Sequence, residues 1–370
     1  MFTWLEIDSG AIRHNLKQFR ELIGPKVWLM PVVKANAYGH GMIGVAKICD
    51  QADEVDRICV VSLQEALELL DNGIKKPLFI LSFFELDNPD NLKKAVMGGV
   101  IFTLYSLEQA NVLNQIGKEL NKRVKIHLKI DTGTGRTGIL PHEALKFVKE
   151  IKSRENLKLE ALWSHFASSE EDPVYTRKQF KTLKEVTEIL KTEGLSVLNH
   201  IACSAAIAAN PYSQGDAVRL GLSLYGLYPS EQVRNKINLK PALSWFTKII
   251  QIKEVPEGVK IGYGGTWTTR RTTKLAILPI GYYDGYDRRF SNQAKVLIRG
   301  IKCPVVGRIC MNLTMIDATG VGQARAGDKV ILIGEENGET VTADDLASFT
   351  GTINYEIVDW INPLLPRFFK

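Results

Sequence analysis

The chain has 370 residues, 45% hydrophobic and 24% charged, with a formal net charge of +6; this suits two domains, or one large barrel with an appendage. Its basic residues are dispersed, and the densest cluster, Thr268–Lys274, reads as an exposed loop, which argues against a nucleic-acid partner. No apolar stretch nears membrane-span length, no signal-like segment opens the chain, and five cysteines without a C-x-x-C pair predict a reduced, cytoplasmic protein without structural disulfides or a zinc ribbon.

Leu5–Asp8 alternates like a short strand, and Ser9 then caps a helical pattern that runs to Ile23 with Ile12, Leu16 and Phe19 on one face. Gly24-Pro25 ends it. A strand follows at Val27–Val33 and stops at the loop Lys34–Gly41, KANAYGHG. A strand buried on both faces has little room for an ammonium group. Lys34 therefore either reaches the strand end and pairs with a carboxylate, or takes part in chemistry such as imine formation.

From there a rhythm sets in. Further strands are predicted at Ile58–Val61, Leu78–Leu81, Val100–Thr103, Val124–Ile130, Leu159–Trp163, Leu198–Ala202 and Ala217–Gly221. Helical patterns at Gln64–Leu70, Leu107–Leu120, Pro141–Ile151 and Tyr175–Lys191 lie between them. Alternating strands and helices imply a parallel sheet with helices outside. Eight units in this length predict an α/β fold with an N-terminal (β/α)8 TIM-type barrel, whose site lies at the C-terminal strand ends. A doubly wound sheet is the alternative, but it calls for a G-x-G-x-x-G after the first strand, which is missing. Polar residues recur where the strands end: Lys34, then Lys129 and Asp131, His165, His200 with Ser204, and Arg219. On a barrel they converge on one mouth.

Beyond Ser230 the texture changes. Leu243–Val255 alternates like one long strand, and β-rich runs follow at Lys274–Ile280, Ala294–Ile298, Leu313–Ile316 and Lys329–Ile333. Only Ala343–Phe349 and Tyr355–Ile361 look helical. The expectation is a barrel over residues 9–230 and a mainly-β domain over 231–370 that includes the strand in residues 1–8.

Nine stretches carry a resemblance: VVKANAYGHG (Val32–Gly41), HLKIDTGTGRTGI (His127–Ile139), SHFASS (Ser164–Ser169), HIACSAA (His200–Ala206), DAVRLGLSLYG (Asp216–Gly226), IGYGGTW (Ile261–Trp267), GYYDGY (Gly281–Tyr286), GRICMN (Gly307–Asn312) and GTINYEI (Gly351–Ile357). In content, order and spacing the chain resembles the alanine racemase family of pyridoxal 5'-phosphate (PLP) enzymes. The resemblance implies a PLP-binding barrel followed by a β domain, and interconversion of L- and D-alanine to supply D-alanine for peptidoglycan. Lys34 would hold PLP as an imine and act as one base. Tyr263, which its turn alone would make an aromatic plug, becomes the second base on the opposite face, activated by His165 beside Arg219. Arg219 would face the pyridine nitrogen, and being permanently protonated it would keep that nitrogen neutral. Ser204, the N–H groups of Gly221 and Leu222, Tyr38 and Tyr355 would hold the phosphate.

Lys129 stands out on physical grounds, because His127, Lys129 and Asp131 share one strand face and a buried lone ammonium is costly. The resemblance implies a carbamate on Lys129 that holds Arg136, which in turn meets the cofactor's phenolic oxygen and the substrate carboxylate. A bound anion or a Lys129–Asp131 pair is the alternative. Met311 would offer its N–H to the substrate carboxylate, with Tyr282 and Arg288 near the entrance. Tyr263 and Met311 would come from a second subunit, giving a homodimer with shared sites and no metal. Cys203, Leu220, Thr134, Tyr283 and Asn312 depart from the family's usual residues, and Asn312 removes a negative charge near the entrance. A related barrel-fold PLP decarboxylase, or a racemase of broader range that includes serine, is the runner-up reading. A silent PLP-binding barrel would lack the β domain.

Overall fold

After an N-terminal strand β1 (Trp4–Ile7), the computed structural model, which describes residues 1–370, has eight parallel strands in its first two-thirds. They are β2 (Trp28–Pro31), β3 (Ile58–Ser62), β4 (Leu78–Phe83), β5 (Ile101–Leu104), β6 (Val124–Lys129), β7 (Leu157–Trp163), β8 (Leu198–His200) and β9 (Ala217–Leu220). β5 and β9 are buried at every position, as suits strands covered on both faces.

The strands form a ring. β3 through β8 pair in chain order, and β2 pairs with β9 with Trp28 opposite Ala217. The parallel bridge Val32–Cys59 joins the end of β2 to β3. On the other side, the Asp216 N–H donates to the Asn199 carbonyl (2.9 Å) and the Arg219 N–H to the Ala202 carbonyl (3.0 Å), which ties β8 to β9. The result is the (β/α)8 barrel that the strand rhythm predicts.

The helices between the strands begin where side chains satisfy their first N–H groups. The Ser62 hydroxyl accepts from the Glu65 N–H (3.3 Å) to start Leu63–Asp71, and Ser106 accepts from the Gln109 N–H (3.2 Å) to start Leu107–Glu119. Ser9 differs from its expected capping role, since it is the first residue of the helix Ser9–Ile23. Pro141–Ile151 also differs: a 3-10 turn at Pro141–Glu143 precedes the helix Ala144–Lys152.

Leu243–Val255 is two strands, not one: β10 (Leu243–Lys248) and β11 (Gln251–Val255). The apolar alternation continues, but the backbone changes partners between them. The Ile249 N–H donates to the Asp328 carbonyl (3.0 Å), and the Ile250 N–H to the Ile277 carbonyl (2.9 Å). β10 belongs to a seven-stranded sheet, where it lies between β1 and the strand Lys329–Glu336. β11 belongs to a three-stranded sheet with Thr273–Leu278 and Thr314–Asp317. Periodicity reports which face is buried and says nothing of which neighbour supplies the hydrogen bonds.

The chain divides into a barrel unit (residues 10–37 and 42–241) and a strand-rich unit (residues 1–9, 38–41 and 242–370). Residues 231–241, grouped by sequence with the second domain, fall in the barrel unit. The Asn15 amide there donates to the Leu224 (3.0 Å) and Lys240 (2.9 Å) carbonyls and accepts from the Lys240 N–H (2.9 Å). No helix is long and apolar enough to cross a membrane.

Candidate active site

Lys34 stands where β2 gives out, one residue past Val33, whose N–H donates to the Cys59 carbonyl (2.9 Å). The next four residues are unusual. Ala35, Asn36, Ala37 and Tyr38 have φ of 52°, 52°, 55° and 51°, a left-handed turn without a glycine. Such a conformation costs about 1–2 kcal/mol per residue, so it persists only where the surroundings hold it. They do. Glu65 Oε1 accepts from the Ala35 N–H (2.8 Å) and its Oε2 from the Val61 N–H (2.7 Å). The Asn36 side-chain carbonyl accepts from the Met42 N–H (3.0 Å), and the Tyr225 hydroxyl donates to the Val32 carbonyl (2.8 Å). Lys34 is thus carried on a fixed, strained backbone.

On the neighbouring strand, Arg219 near the end of β9 is 3% exposed and heavily hydrogen-bonded. Its Nη1 lies 2.6 Å from His200 Nδ1. Its Nη2 faces the Ser164 carbonyl (2.7 Å), the Ile201 carbonyl (2.9 Å) and His165 Nδ1 (3.1 Å). The Nε–H has no hydrogen-bond partner in the chain. Burial lowers the guanidinium to about 10, so it remains protonated at neutral pH. The His165 imidazole lies well below its ordinary value, first through desolvation and then through the positive charges of Arg219, Lys129, Arg136 and Lys34. His165 is therefore neutral. With Nδ1 accepting from a group that only donates, its proton sits on Nε2.

Lys129 is 1% exposed, and its Nζ has no hydrogen-bond partner. It rests 3.3 Å from the centre of the Trp163 ring, which the Arg219 guanidinium also covers at 4.8 Å and against which His200 stacks. Desolvation, with Arg219 and Arg136 adding to it, drives the amine far below its ordinary value. The Lys129–Asp131 pair considered from sequence does not form. The Asp131 carboxylate instead accepts the backbone N–H groups of Gly133 (3.0 Å), Thr134 (2.9 Å), Gly135 (3.2 Å) and Arg136 (3.1 Å). Burial alone would raise Asp131, but these bonds outweigh it and the carboxyl is lowered. Asp131 so shapes the loop that presents the exposed side chain of Arg136.

Ser204 opens the short helix after β8 and is 3% exposed. Its hydroxyl accepts from the Gly221 N–H (2.9 Å) and the Ser223 N–H (3.4 Å). The Gly221 N–H is thus occupied within the chain. Leu222 begins a 3-10 turn, a position whose N–H has no intrahelical acceptor.

The remaining candidates lie in the strand-rich unit. Tyr38 and Tyr355 meet with ring centroids 6.1 Å apart. Tyr263 sits at the tip of a hairpin formed by β12 (Lys260–Ile261) and β13 (Trp267–Thr268). Ile261 is buried with Val255, Leu275, Val306 and Met315, and Trp267 packs against this cluster, which anchors the hairpin. Gly262 has φ 70° and ψ −174°, a conformation open only to glycine, and a side chain there would meet Met315 Cε at 2.8 Å. The tyrosine that follows is 71% exposed. The loops of Tyr282 and Met311 are hydrogen-bonded together, Tyr282 N–H to the Cys310 carbonyl (3.1 Å) and Tyr283 N–H to the Met311 carbonyl (3.0 Å). Tyr282 and Arg288 line one cleft with Trp360.

Sequence reasoning missed Glu65 and Trp163. Glu65 reads as one more polar residue on an amphipathic helix, and Trp163 as a strand aromatic. Only the barrel's closure shows what each touches.

A closed parallel barrel with a lysine, a histidine and a buried arginine gathered at its strand ends, followed by a strand-rich unit, has the layout of a barrel enzyme. Known proteins narrow this. Residues 7–229 match the family described as "Alanine racemase, N-terminal domain" and residues 242–369 "Alanine racemase, C-terminal domain". Alanine racemase of Methanococcus maripaludis is 41% identical over 370 residues, spanning 99% of this chain and 98% of that protein. Alanine racemase of Halothermothrix orenii is 42% identical over 370 residues, spanning 100% and 97%. The solved alanine racemase of Clostridium difficile 630 superposes with a TM-score of 0.93 at 36% identity, covering 100% of this chain and 96% of that one. The Bacillus anthracis enzyme with bound L-Ala-P gives 0.90 at 35% identity, covering 100% and 95%. The chain belongs to the alanine racemase family and is an enzyme, which bears out the resemblance drawn from the nine motifs.

Proposed function

We propose that the protein interconverts L- and D-alanine with PLP as cofactor, using Lys34 and Tyr263 as the two bases. The observation that carries this is the Nε–H of Arg219, a donor without a partner in the chain on a buried guanidinium that contacts to His200, His165 and two carbonyls hold in place. It suits the PLP ring nitrogen, an acceptor. Other residues of the barrel unit fit the cofactor as well: Lys34 would hold it covalently, and Ser204 and the Leu222 N–H would hold the phosphate. When bound, PLP accepts the electron pair left on the α-carbon as its proton departs.

Everything else falls to the chain. A racemase needs one group to take the α-proton from one face and another to deliver a proton to the opposite face. Lys34 Nζ serves one face and the Tyr263 hydroxyl the other. The Nε2–H of His165 is the donor available to stabilise a deprotonated tyrosine. Arg219 would keep its own proton and so would leave the ring nitrogen of bound PLP neutral, which would favour return of a proton to the α-carbon over transamination.

Lys129 carries a carbamate in this reading. A carbamate forms when a neutral amine attacks CO2 and releases a proton, and burial shifts Lys129 towards that neutral form. The product is an anion facing Arg136, which then meets the substrate carboxylate together with the Met311 N–H and Tyr282. Tyr263, Met311 and Tyr282 are large and exposed (71%, 54% and 44%), which suits residues that complete the site of a second copy in a homodimer. Five unpaired thiols suit the cytoplasm, where D-alanine is made for peptidoglycan.

The test is reconstitution with PLP, borohydride reduction with peptide mapping, and an assay of L-alanine by loss of optical rotation. Label at Lys34 and racemisation are expected. A protein that takes up no PLP, or releases CO2 instead, sinks the proposal.

A further inference from the structure

Arg219 is the upper end of a buried chain of hydrogen bonds. Its Nη1 is 2.6 Å from His200 Nδ1, and His200 Nε2 is 3.0 Å from His127 Nδ1. His127 Nε2 is 3.1 Å from Glu160 Oε2, which also pairs with Arg57 Nη1. His127 and His200 are 0% and 1% exposed.

The direction of this chain follows from one fact. A guanidinium has hydrogens to give and no lone pair to offer. His200 Nδ1 must therefore accept. Burial keeps both imidazoles neutral, with His127 lowered to about 4 and His200 well below its ordinary value. A neutral ring that accepts at Nδ1 carries its proton on Nε2, so His200 donates to His127 Nδ1. The same step repeats: His127 accepts at Nδ1 and donates from Nε2 to the Glu160 carboxylate. Every bond runs from Arg219 towards Glu160, and the reverse order would set an N–H of His200 against an N–H of Arg219. Arg57 Nη1 also lies 3.2 Å from His127 Nε2, and in this order its hydrogen goes to Glu160.

We propose that Glu160, backed by Arg57, is a positioning residue for Arg219: it terminates a relay that locks His127 and His200 as Nε2–H tautomers and so preserves the His200 bond that holds the Arg219 guanidinium in place. The proposal rests on the role given above to Arg219. Without the Glu160 acceptor, Arg57 faces His127 Nε2 alone. His127 then moves its proton to Nδ1 and accepts from Arg57. His200 must in turn accept at Nε2, its own proton moves to Nδ1, and the bond to Arg219 is lost. The titratable groups around the relay are Arg57, Arg219, Lys129 and Lys125, whose Nζ is 4.0 Å from Glu160 Oε1.

The first measurement is 15N NMR of histidine-labelled protein without cofactor, feasible with six histidines and assigned through His127→Asn and His200→Asn. Both rings are expected as neutral Nε2–H tautomers that do not titrate between about pH 5.5 and about pH 8. A ring that is Nδ1–H, or that titrates near the ordinary value, overturns the relay. The second measurement uses Glu160→Leu, expected to convert His127 to Nδ1–H and to raise the ratio of transamination to racemisation about 10- to 100-fold, the scale on which outer partners tune a site. Glu160→Gln keeps an acceptor and should restore both. A loss of activity in Glu160→Leu with unchanged tautomers and unchanged ratio makes Glu160 merely structural and ends the proposal. If Glu160→Leu does not fold, the wild-type and Glu160→Gln tautomers decide. Because the tautomers are read without cofactor, their failure is distinct from failure to bind PLP, which concerns the catalytic reading alone.

Discussion

At the scale of single residues, protonation state governs this site. Arg219 only donates, and three imidazoles are arranged to accept from it directly or in sequence. Arg219→Glu reverses this, because a carboxylate accepts and cannot keep a ring nitrogen unprotonated. Racemisation should slow by about 10²- to 10³-fold, as when one preorganised donor is lost, with PLP still bound and transamination increased. The measurement is the partition between D-alanine and pyruvate; an unchanged partition refutes the role.

The buried histidines also set a pH dependence of stability. The folded value of His127, about 4, lies below its ordinary value, and His165 and His200 are lowered as well. The unfolded chain therefore binds protons that the native chain refuses. Stability is complete above about pH 6.5 and is lost as pH falls towards 4, by on the order of 3 kcal/mol for His127. Urea unfolding midpoints at about pH 7.5 and about pH 5 measure this. Equal midpoints would contradict it, and His127→Asn should flatten the difference.

At the scale of elements, two short segments carry the proposed bases. Both are held in backbone conformations that their surroundings impose. The left-handed turn after Lys34 depends on Glu65, which binds two N–H groups on separate elements. Glu65→Ala leaves both without that acceptor and should cost about 1–3 kcal/mol. Activity should fall more than Glu65→Gln causes, since Gln keeps one acceptor oxygen. Thermal melting beside kcat checks this, and full activity in the alanine variant would show that the turn holds itself. The Tyr263 hairpin depends on Gly262. Gly262→Ala forces a side chain towards Met315 and should lower kcat while leaving the visible PLP band of Lys34 in place.

At the scale of the whole molecule, the proposed dimer makes a quantitative prediction. Lys34→Ala and Tyr263→Phe should each inactivate both sites of a homodimer. Unfolded together and refolded as a mixture, half of the dimers pair one variant with the other, and one of the two sites in each such dimer is intact. About a quarter of wild-type activity should return. No recovery would place both bases in one subunit.

Much of this was legible in the sequence, because burial leaves a pattern. Eight β-rich runs such as Ile101–Leu104 and Ala217–Leu220 reveal a parallel barrel, and polar residues at strand ends mark its mouth. The barrel rhythm, the strand-rich second half and the family could all be read from order and spacing along the chain. What the sequence could not hold is which groups meet across the ring. Leu243–Val255 reads as one strand because alternation records a buried face, whereas its break is decided by hydrogen-bond partners far along the chain. Asp131 looks like a partner for Lys129 two residues away, but loop amides claim its carboxylate. Glu160 is one acid among many until β3, β6, β7, β8 and β9 bring Arg57, His127, His200 and Arg219 into line with it. The sequence by itself determined the elements, their order and the chemical types at the strand ends, since these follow from local propensity and periodic burial. Tertiary structure alone decided the strained backbone at Lys34, the buried Lys129 without a hydrogen-bond partner and the single direction of the histidine relay. Each of these depends on desolvation and on hydrogen-bond partners that the fold brings together from distant positions.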